Sequence, residues 1–273
     1  MTFLERMAAA SRERVRAARA LRSDAELERR ALAAAAAPPL VLEQFDVVAE
    51  LKLRSPAAGG LAASGFDSRA QLAAYARGGA AAVSVLTEPS EFHGELAHLA
   101  DAAEALAPSG LPAMRKDFLT DPYQVLEARA AGAGGVLVIV AMLDDAAVRA
   151  LVDCAQRCGM FVLLEAFDRA DLERIAAFDR PQTGGPPLLA GVNCRDLRDL
   201  AVRFARFEEL APHLPRHLPT VAESGIGSAA EIEAVAAAGY RLALIGSSLM
   251  RAADPTRSLT DWLAAGRAAI TRR

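Results

Sequence analysis

The sequence predicts an α/β fold, namely a (β/α)8 TIM barrel with an N-terminal helical extension. Eight apolar runs, rich in Val, Ile and Leu, recur along the chain, and a helix-forming segment follows each of them. The runs do not alternate with polar residues, which is typical of parallel strands covered on both faces. The length of 273 residues also suits this fold, which typically needs about 250. A doubly wound sheet is the alternative, although no GxGxxG motif follows the first run.

The first part of the chain is predicted to be helical and to precede the barrel. Arg, Glu, Ala and Leu recur at helical spacing over residues 1–37. The pattern breaks at Ser23 and Asp24, either of which can cap a second helix. We expect residues 1–44 to form an extension that packs on the barrel, covers part of its mouth and carries no chemistry. Residues 45–273 would form the barrel.

The barrel residues divide into eight strand–helix units. The strands are predicted at residues 47–53, 78–87, 111–119, 132–143, 159–167, 186–197, 218–228 and 240–250. The helices are predicted at residues 67–77, 95–106, from 121 onward, 144–157, 169–177, 206–210, 229–238 and from 255 onward. Asp121 followed by Pro122 is a typical helix start, with Asp at the cap and Pro in the first turn.

The composition limits the possible functions and cellular locations of the protein. A hydrophobic share of 53% supplies a sizeable core, and a net charge of −3 gives no electrostatic reason to expect a nucleic acid or an anionic membrane as partner. No apolar run approaches the ~20 residues needed to span a bilayer, and the N-terminus has no signal-type apolar core. We therefore expect a cytoplasmic protein. Whether it is a monomer or a homodimer is left open.

No metal and no cofactor are expected. The three cysteines are Cys154, Cys158 and Cys194, and neither they nor the four histidines have the spacing of a zinc site. Cys154 and Cys158 are four residues apart and share a helix face. Without further ligands nearby, we interpret them as buried or half-buried thiols in a reducing cytosol. Cys194 has no histidine that follows the usual pairing of a nucleophile with its base.

Polar side chains stand at or near the ends of five predicted strands. They are Glu50 and Lys52 in the first strand, Lys116 in the third, Glu165 in the fifth, Asn193 in the sixth and Glu223 in the seventh. Glu50 and Lys52 are two residues apart, so in a strand they point the same way. Active sites of (β/α)8 barrels lie at the carboxyl ends of the strands. The mixture of lysines and glutamates there indicates general acid–base catalysis.

Two glycine–serine segments predict a phosphorylated substrate. Residues 224–228 follow the seventh strand, and residues 246–248 follow the eighth. Loops at these two places frequently bind phosphate through backbone N–H groups near a helix N-terminus. We therefore expect a phosphorylated small molecule as the substrate.

Several stretches together resemble the indole-3-glycerol phosphate synthase family of tryptophan biosynthesis. They are AELKLRSP (49–56), VLTEP (85–89), FHG (92–94), MRKDFLTDPYQVLEARAAGA (114–133), VLLEAF (162–167), GVNCRDL (191–197), VAESGI (221–226) and LIGSSLM (244–250). The combination of RKDF, AESGI and NxRDL is more specific than any single motif. The resemblance implies a carboxy-lyase that closes the indole ring. It would convert 1-(2-carboxyphenylamino)-1-deoxyribulose 5-phosphate into indole-3-glycerol phosphate, carbon dioxide and water.

The resemblance also implies roles for individual residues. Lys116 would be the general acid, and Glu165 the acid–base partner for dehydration. Glu50 would position Lys116 electrostatically, and Lys52 would lie near the phosphate or the substrate carboxylate, with a share in catalysis. Asn193 and Glu223 would bind the ribulose hydroxyls, and Phe92 would contact the anthranilate ring. The phosphate would be bound by Gly225, Gly246 and Ser247. Further substrate contacts would come from Ser55, Arg195 and Ser224.

The chain departs from the family pattern around these residues, at Leu53, Ala57, Glu95, Phe167 and Cys194. Other functions therefore stay open, two of them enzymatic. One is the same reaction on a ring-substituted anthranilate in secondary metabolism. The other is a different phosphate-binding barrel enzyme such as phosphoribosylanthranilate isomerase, although an isomerisation does not require two lysines flanked by three glutamates. A catalytically silent scaffold is a third alternative, which the intact set of polar strand ends disfavours.

Overall fold

Two helices precede the first strand of the protein. The computed structural model describes residues 1–52, 54–55, 59–60, 66–178, 185–195 and 201–272. Helix α1 spans Phe3–Leu21 and helix α2 spans Asp24–Ala33. The hydroxyl of Ser23 accepts a hydrogen bond from the backbone N–H of Glu26 and so caps α2. The predicted break between the two helices is confirmed.

Eight parallel strands form a closed barrel, which confirms the predicted fold class. The strands are β1 (Asp46–Leu51), β2 (Ala82–Leu86), β3 (Ala113–Lys116), β4 (Gly135–Ile139), β5 (Phe161–Ala166), β6 (Leu188–Asn193), β7 (Thr220–Glu223) and β8 (Leu242–Ile245). Each strand pairs with its neighbours in chain order, and β8 closes the barrel against β1. A separate two-residue ribbon joins Arg54–Ser55 to Gly59–Gly60 after β1.

Helices cover the outside of the barrel between the strands. They are α3 (Ser68–Arg77), α4 (Pro89–Phe92), α5 (Leu96–Leu106), α6 (Pro122–Ala130), α7 (Asp145–Arg157), α8 (Arg169–Ala176), α9 (Arg206–Leu210), α10 (Ala229–Ala238), α11 (Ser247–Arg251) and α12 (Pro255–Thr271). Short 3-10 turns span Ala107–Ser109, Val140–Met142 and Ala211–His213. Of the helices described, none is long and apolar enough to cross a lipid bilayer.

Several predicted strands extend too far, and the short helix α4 was not predicted. Strand β7 stops at Glu223 because Ser224 and Gly225 have φ values of 72° and 70°, which turn the chain out of the sheet. Strand β8 stops at Ile245, and α11 follows directly. The apolar side chains of Leu249 and Met250 in α11 had extended the strand-like pattern to residue 250. The turn after β4 likewise replaces the end of the fourth predicted strand.

The strand register brings polar strand ends to the same level. Glu165 pairs with Ile139 on one side and with Gly191 on the other, and Asn193 pairs with Glu223. Below that level the barrel interior is filled by apolar side chains, among them Met114, Leu137, Phe161, Leu163, Leu189 and Val221. The polar groups therefore stand on a packed floor at one end of the barrel.

The N-terminal helices are fixed to the barrel by hydrogen bonds. The hydroxyl of Tyr123 donates to the carbonyl of Ala18 at 3.1 Å. The guanidinium of Arg129 donates to the carbonyls of Ala34 and Ala35, at 2.8 and 2.7 Å. Both donors lie on α6, so this one barrel helix anchors both α1 and the chain that follows α2.

Candidate active site

A cavity of about 450 Å³ opens at the carboxyl ends of the strands. The residues predicted for the site that line it are Glu50, Lys52, Phe92, Lys116, Glu165, Asn193, Arg195, Glu223, Ser224, Gly225, Gly246 and Ser247. The side chain of Ser55, the remaining predicted site residue, lies outside the described part of the structure. A volume of this size is typical of small-molecule sites.

Lys116, the last residue of β3, stands between two buried carboxylates. Its Nζ donates to Oε2 of Glu165 and to Oε2 of Glu223, at 3.2 Å each. The two glutamate side chains are 2% and 1% exposed. They belong to β5 and β7, and inward side chains of alternate barrel strands lie in the same layer. One ammonium group is thus shared by two carboxyl groups in a place with little water.

The pKa values of these residues are shifted. Burial alone would lower the pKa of Lys116, but the charges of Glu165, Glu223 and Glu50 outweigh it and raise the pKa above its usual value. Burial raises the pKa of Glu223, Glu165 adds to the shift, and Lys116 opposes it. Lys116 therefore keeps its proton at neutral pH. Glu223 takes up a proton more readily than an exposed glutamate does.

The second carboxyl oxygen of Glu223 is buried without a hydrogen-bond partner. In the described part of the chain, only Oγ of Ser84 and Nη1 of Arg129 share this state. Such atoms are rare in folded proteins because they lose water without gaining a partner. Oε1 of Glu223 has room because Gly191 stands opposite, where a Cβ atom would lie only 2.2 Å away. It is a buried acceptor without a partner, on the same carboxyl group that binds Lys116.

Glu50 and Lys52 form an ion pair on another side of the cavity. Nζ of Lys52 lies 2.6 Å from Oε1 of Glu50, and the two side chains are 13% and 4% exposed. A Cβ atom on Gly246 would come within 2.2 Å of that oxygen and 3.0 Å of the Lys52 nitrogen. The pair can approach the start of α11 because residue 246 has no side chain. Lys52 thus lies beside the residues predicted to bind phosphate.

Arg195 and Val202, which follow β6 in the chain, line the cavity. Oδ1 of Asn193 accepts a hydrogen bond from the backbone N–H of Arg195 at 3.0 Å. Arg195 then forms a bridge to Val202, whose γ-methyl would stand 2.5 Å from a Cβ on Gly225. Position 225 therefore favours glycine for two reasons: its φ is positive, and a neighbouring side chain leaves no room for a Cβ atom. Ser224, with its own positive φ, lines the cavity next to it.

Aromatic rings form an apolar side of the cavity. The ring centroid of Phe118 lies 6.3 Å from that of Phe92 and 5.8 Å from that of Phe3. All three residues line the cavity. Phe3 belongs to α1, so the N-terminal helix contributes a wall of the site. This arrangement suits a flat aromatic group, which packs favourably against the edges and faces of such rings.

Cys194 is a buried thiol next to the site. Sγ of Cys194 donates to the carbonyl of Ser224 at 3.3 Å, and burial raises the pKa of the Cys194 thiol to about 11. It is therefore a neutral, packed thiol at pH 7. Within the described residues, no group of three or more His, Cys, Asp and Glu side chains is arranged to hold a metal ion.

Comparison with known proteins identifies the family. A family model described as indole-3-glycerol phosphate synthase matches residues 4–261. The chain belongs to the indole-3-glycerol phosphate synthase family. Members of this family are carboxy-lyases of tryptophan biosynthesis. The match begins in α1 and includes all eight strands.

Individual relatives named indole-3-glycerol phosphate synthase are similar over most of their length. The protein of Arthrobacter sp. (strain FB24) is 38% identical over 283 residues, which cover 100% of both chains. That of Azospirillum brasilense is 41% identical over 221 residues, or 81% of this chain and 80% of its own. That of Micrococcus luteus is 45% identical over 221 residues, or 80% and 78%.

Solved structures with low sequence identity share the fold. The 3-hexulose-6-phosphate synthase of Salmonella typhimurium superposes with a TM-score of 0.61 at 13% identity, covering 84% of this chain and 99% of its own. The thiamine phosphate pyrophosphorylase of Pyrococcus furiosus superposes with a TM-score of 0.58 at 12% identity, covering 83% and 98%. At such identities the likeness concerns the barrel alone.

Three of the departures from the pattern of the indole-3-glycerol phosphate synthase family, Glu95, Phe167 and Cys194, fall within the described residues. Phe167 follows β5 and packs, partly buried, against the apolar interior of the barrel. Glu95 is the N-cap residue of α5. Leu53 and Ala57 lie outside the described residues. None of the departures replaces Lys116 or a side chain that contacts it.

Sequence reasoning missed part of this site. Gly191 stands in the middle of a buried strand, and a glycine there commonly marks the close approach of another group, which was the available signal. Phe118 lies inside the RKDF motif, next to Lys116, but was not singled out. Phe3 lies in none of the matching stretches, so nothing in the pattern pointed to it.

Proposed function

We propose that this chain catalyses the ring closure that gives its family its name, with Lys116 as the general acid. The observation that supports this is the shared ion pair of Lys116 with Glu165 and Glu223, beside the glycines and serine predicted to bind phosphate. The substrate would be 1-(2-carboxyphenylamino)-1-deoxyribulose 5-phosphate. The products would be indole-3-glycerol phosphate, carbon dioxide and water. Decarboxylation and dehydration of this kind depend on proton transfer and on stabilising developing charge.

The first step forms the carbon–carbon bond. The aromatic carbon that bears the carboxylate attacks the ribulose carbonyl carbon, and Lys116 donates its proton to the carbonyl oxygen, which becomes a hydroxyl. A developing alkoxide is a much stronger base than an amine, so Lys116 can protonate it even with a raised pKa. The carboxylate then leaves as carbon dioxide, and the electrons of the broken bond restore the aromatic ring.

The second step removes water. The new hydroxyl leaves with a proton supplied from the cluster of Lys116 and the two glutamates. Glu165 accepts a proton from the carbon next to the ring nitrogen, which creates the double bond of the indole. Because Oε2 of Glu165 lies 3.2 Å from Nζ of Lys116, that proton can return to the lysine for the next cycle. The cluster has given up two protons and regained one, so the second, which decarboxylation consumes, is taken up from water. Glu50 acts on Lys116 through its charge, while its own contact is with Lys52.

The rest of the cavity would orient the substrate. The unpaired oxygen of Glu223 and the side chain of Asn193 would bind the ribulose hydroxyls. The anthranilate ring would lie against Phe92 and the rings beside it. The phosphate would be bound by Lys52, Gly225, Gly246 and Ser247, with Ser55, Arg195 and Ser224 as further substrate contacts.

The domain division and the setting of the enzyme are also proposals. Residues 1–44 would form an extension on the barrel of residues 45–273, and Phe3 supports a role for it at the cavity. The enzyme would act in the cytoplasm as a monomer or homodimer, on a phosphorylated small molecule and not on a nucleic acid.

A fluorescence assay tests this function. The purified chain is incubated with 1-(2-carboxyphenylamino)-1-deoxyribulose 5-phosphate, and the indole product and carbon dioxide are measured together. We expect equal amounts of both. Parallel reactions contain ring-substituted substrates and N-(5-phosphoribosyl)anthranilate. Faster turnover of a substituted substrate, or isomerisation of the last compound without carbon dioxide release, would contradict the proposal and support one of the alternatives.

A further inference from the structure

Arg14 on α1 lies between two buried carboxylates of the barrel. Its Nη2 donates to Oδ1 of Asp117 at 2.6 Å, and its Nη1 lies 3.7 Å from Oε1 of Glu88. Both carboxylate side chains are 0% exposed, whereas the Arg14 side chain is 28% exposed. The guanidinium therefore reaches in from the N-terminal helix and is paired with both groups at once.

Asp117 fixes the chain immediately after Lys116. Its Oδ1 accepts from the backbone N–H of Phe118 at 2.8 Å, in addition to the bond from Arg14. Its Oδ2 accepts from Oγ1 of Thr87 at 2.9 Å and from Arg115 at 3.1 Å. The carboxylate thus joins the ends of β2 and β3, and it binds the backbone of Phe118.

Glu88 fixes the short helix α4 in a similar way. Its carboxylate accepts from the backbone N–H groups of Ser90, Glu91 and Phe92, at 2.9, 2.7 and 3.2 Å. Phe92 is the last residue of α4 and lines the cavity. Among the residues that the structure describes, Arg14 is the one cation paired with Glu88. A buried carboxylate without such a partner is strongly disfavoured.

We propose that Arg14 is a positioning residue whose guanidinium holds the two carboxylates that fix Phe118 and Phe92. Both rings line the cavity and lie 6.3 Å apart, so one cation on α1 sets the geometry of the aromatic wall. Arginine suits this place because its planar fork offers donors in two directions, whereas a lysine presents a point charge. The inference rests on the proposed function, since the aromatic wall would bind the ring of the substrate.

Arg19 supplies a matched control on the same helix. It also joins α1 to the barrel, by bonds of 2.7 and 3.0 Å to the carboxylate of Asp121. That carboxylate accepts from the backbone N–H of Tyr123, which does not line the cavity. Loss of either arginine removes one cation and the contacts by which that cation joins α1 to the barrel. The helix stays attached in both variants, because Nε2 of Gln124 donates to the buried hydroxyl of Ser11 at 2.9 Å.

The experiment compares Arg14→Gln, Arg14→Lys and Arg19→Gln with the wild type in two assays. The first is hydrogen exchange of the backbone amides of Phe92 and Phe118, which requires no turnover. In Arg14→Gln we expect both amides to exchange about tenfold faster or more, the scale expected when hydrogen bonds to a charged group weaken. Arg14→Lys should protect one amide better than the other, and Arg19→Gln should leave both unchanged.

The second assay is steady-state turnover of the substrate. We expect Arg14→Gln to raise KM about tenfold, with a smaller fall in kcat, because the aromatic wall binds the substrate without reacting. Unchanged exchange at both amides in Arg14→Gln would overturn the inference, and so would equal losses in the Arg14 and Arg19 variants. If the wild type does not turn over the substrate, the proposed function fails, and the exchange assay still decides the role of Arg14.

Discussion

Replacing Gly191 with alanine would place a methyl group in the space next to Glu223. Gly191 lies in β6, and a Cβ atom there would stand 2.2 Å from Oε1 of Glu223 and 2.9 Å from Cδ1 of Leu163. Ordinary contact begins at 3.4 Å, so the carboxylate would have to retreat by about 1.2 Å. Its other oxygen accepts the hydrogen bond from Lys116 at 3.2 Å, so the retreat disturbs the proposed general acid.

A displacement of about 1 Å at a reacting group can cost about 10²-fold in rate. At ~1.36 kcal/mol for each factor of ten, this is about 2.7 kcal/mol of activation free energy. We therefore expect Gly191→Ala to lower kcat about a hundredfold at saturating substrate. The fold should survive, because the groups that must move, the Glu223 carboxylate and the Cδ1 methyl of Leu163, belong to side chains and not to the backbone.

The assay is product fluorescence under saturating substrate, with thermal unfolding measured on the same sample. Gly135→Ala is the control, since its Cβ would meet the ring of Phe161 at 2.3 Å in the barrel interior, away from the cavity residues. We expect that variant to lose stability while each folded molecule keeps its turnover. A kcat of Gly191→Ala within about threefold of the wild type, with a normal melting temperature, would refute the reasoning.

Two further predictions concern the charges of the site. Burial raises the pKa of Glu223 in the folded protein, so its negative charge destabilises the fold as pH rises through that pKa. Glu223→Gln should therefore match the wild type in unfolding free energy near pH 4, exceed it at pH 9, and lose activity. A gain in stability at low pH alone would contradict this sign. Lys52→Met should raise KM for the phosphorylated substrate about tenfold, because it removes the ammonium group beside Gly246. An unchanged KM would place the phosphate elsewhere.

Much of the fold was readable from the sequence because strands buried on both faces appear as continuous apolar runs. The eight runs and the helices between them indicated the barrel and its strand order. Strand ends were less readable, since the apolar Leu249 and Met250 of α11 follow β8 after only three residues, 246–248. Strand β7 ends where Ser224 has a positive φ. A serine in a sequence does not indicate a positive φ, whereas a glycine commonly does.

The polar side of the site was predictable because a charged residue at the end of an apolar strand is costly to bury unless it is paired or binds a ligand. Glu165 and Glu223 were recognised in this way, and the structure places both on Lys116. The apolar side was not predictable, because phenylalanines such as Phe3 look like core residues in a sequence. The roles of Arg14 and Gly191 depend on distances between elements far apart in the chain, and no local pattern contains them.

The most direct test of the central claim is the turnover number of Lys116→Ala. If Lys116 is the general acid between Glu165 and Glu223, kcat should fall about 100-fold or more, the scale expected for the loss of such a group, while the circular dichroism spectrum stays that of the wild type. A well-folded Lys116→Ala variant that retains more than about a tenth of the wild-type kcat would contradict the account, because protonation of the carbonyl would then come from another residue.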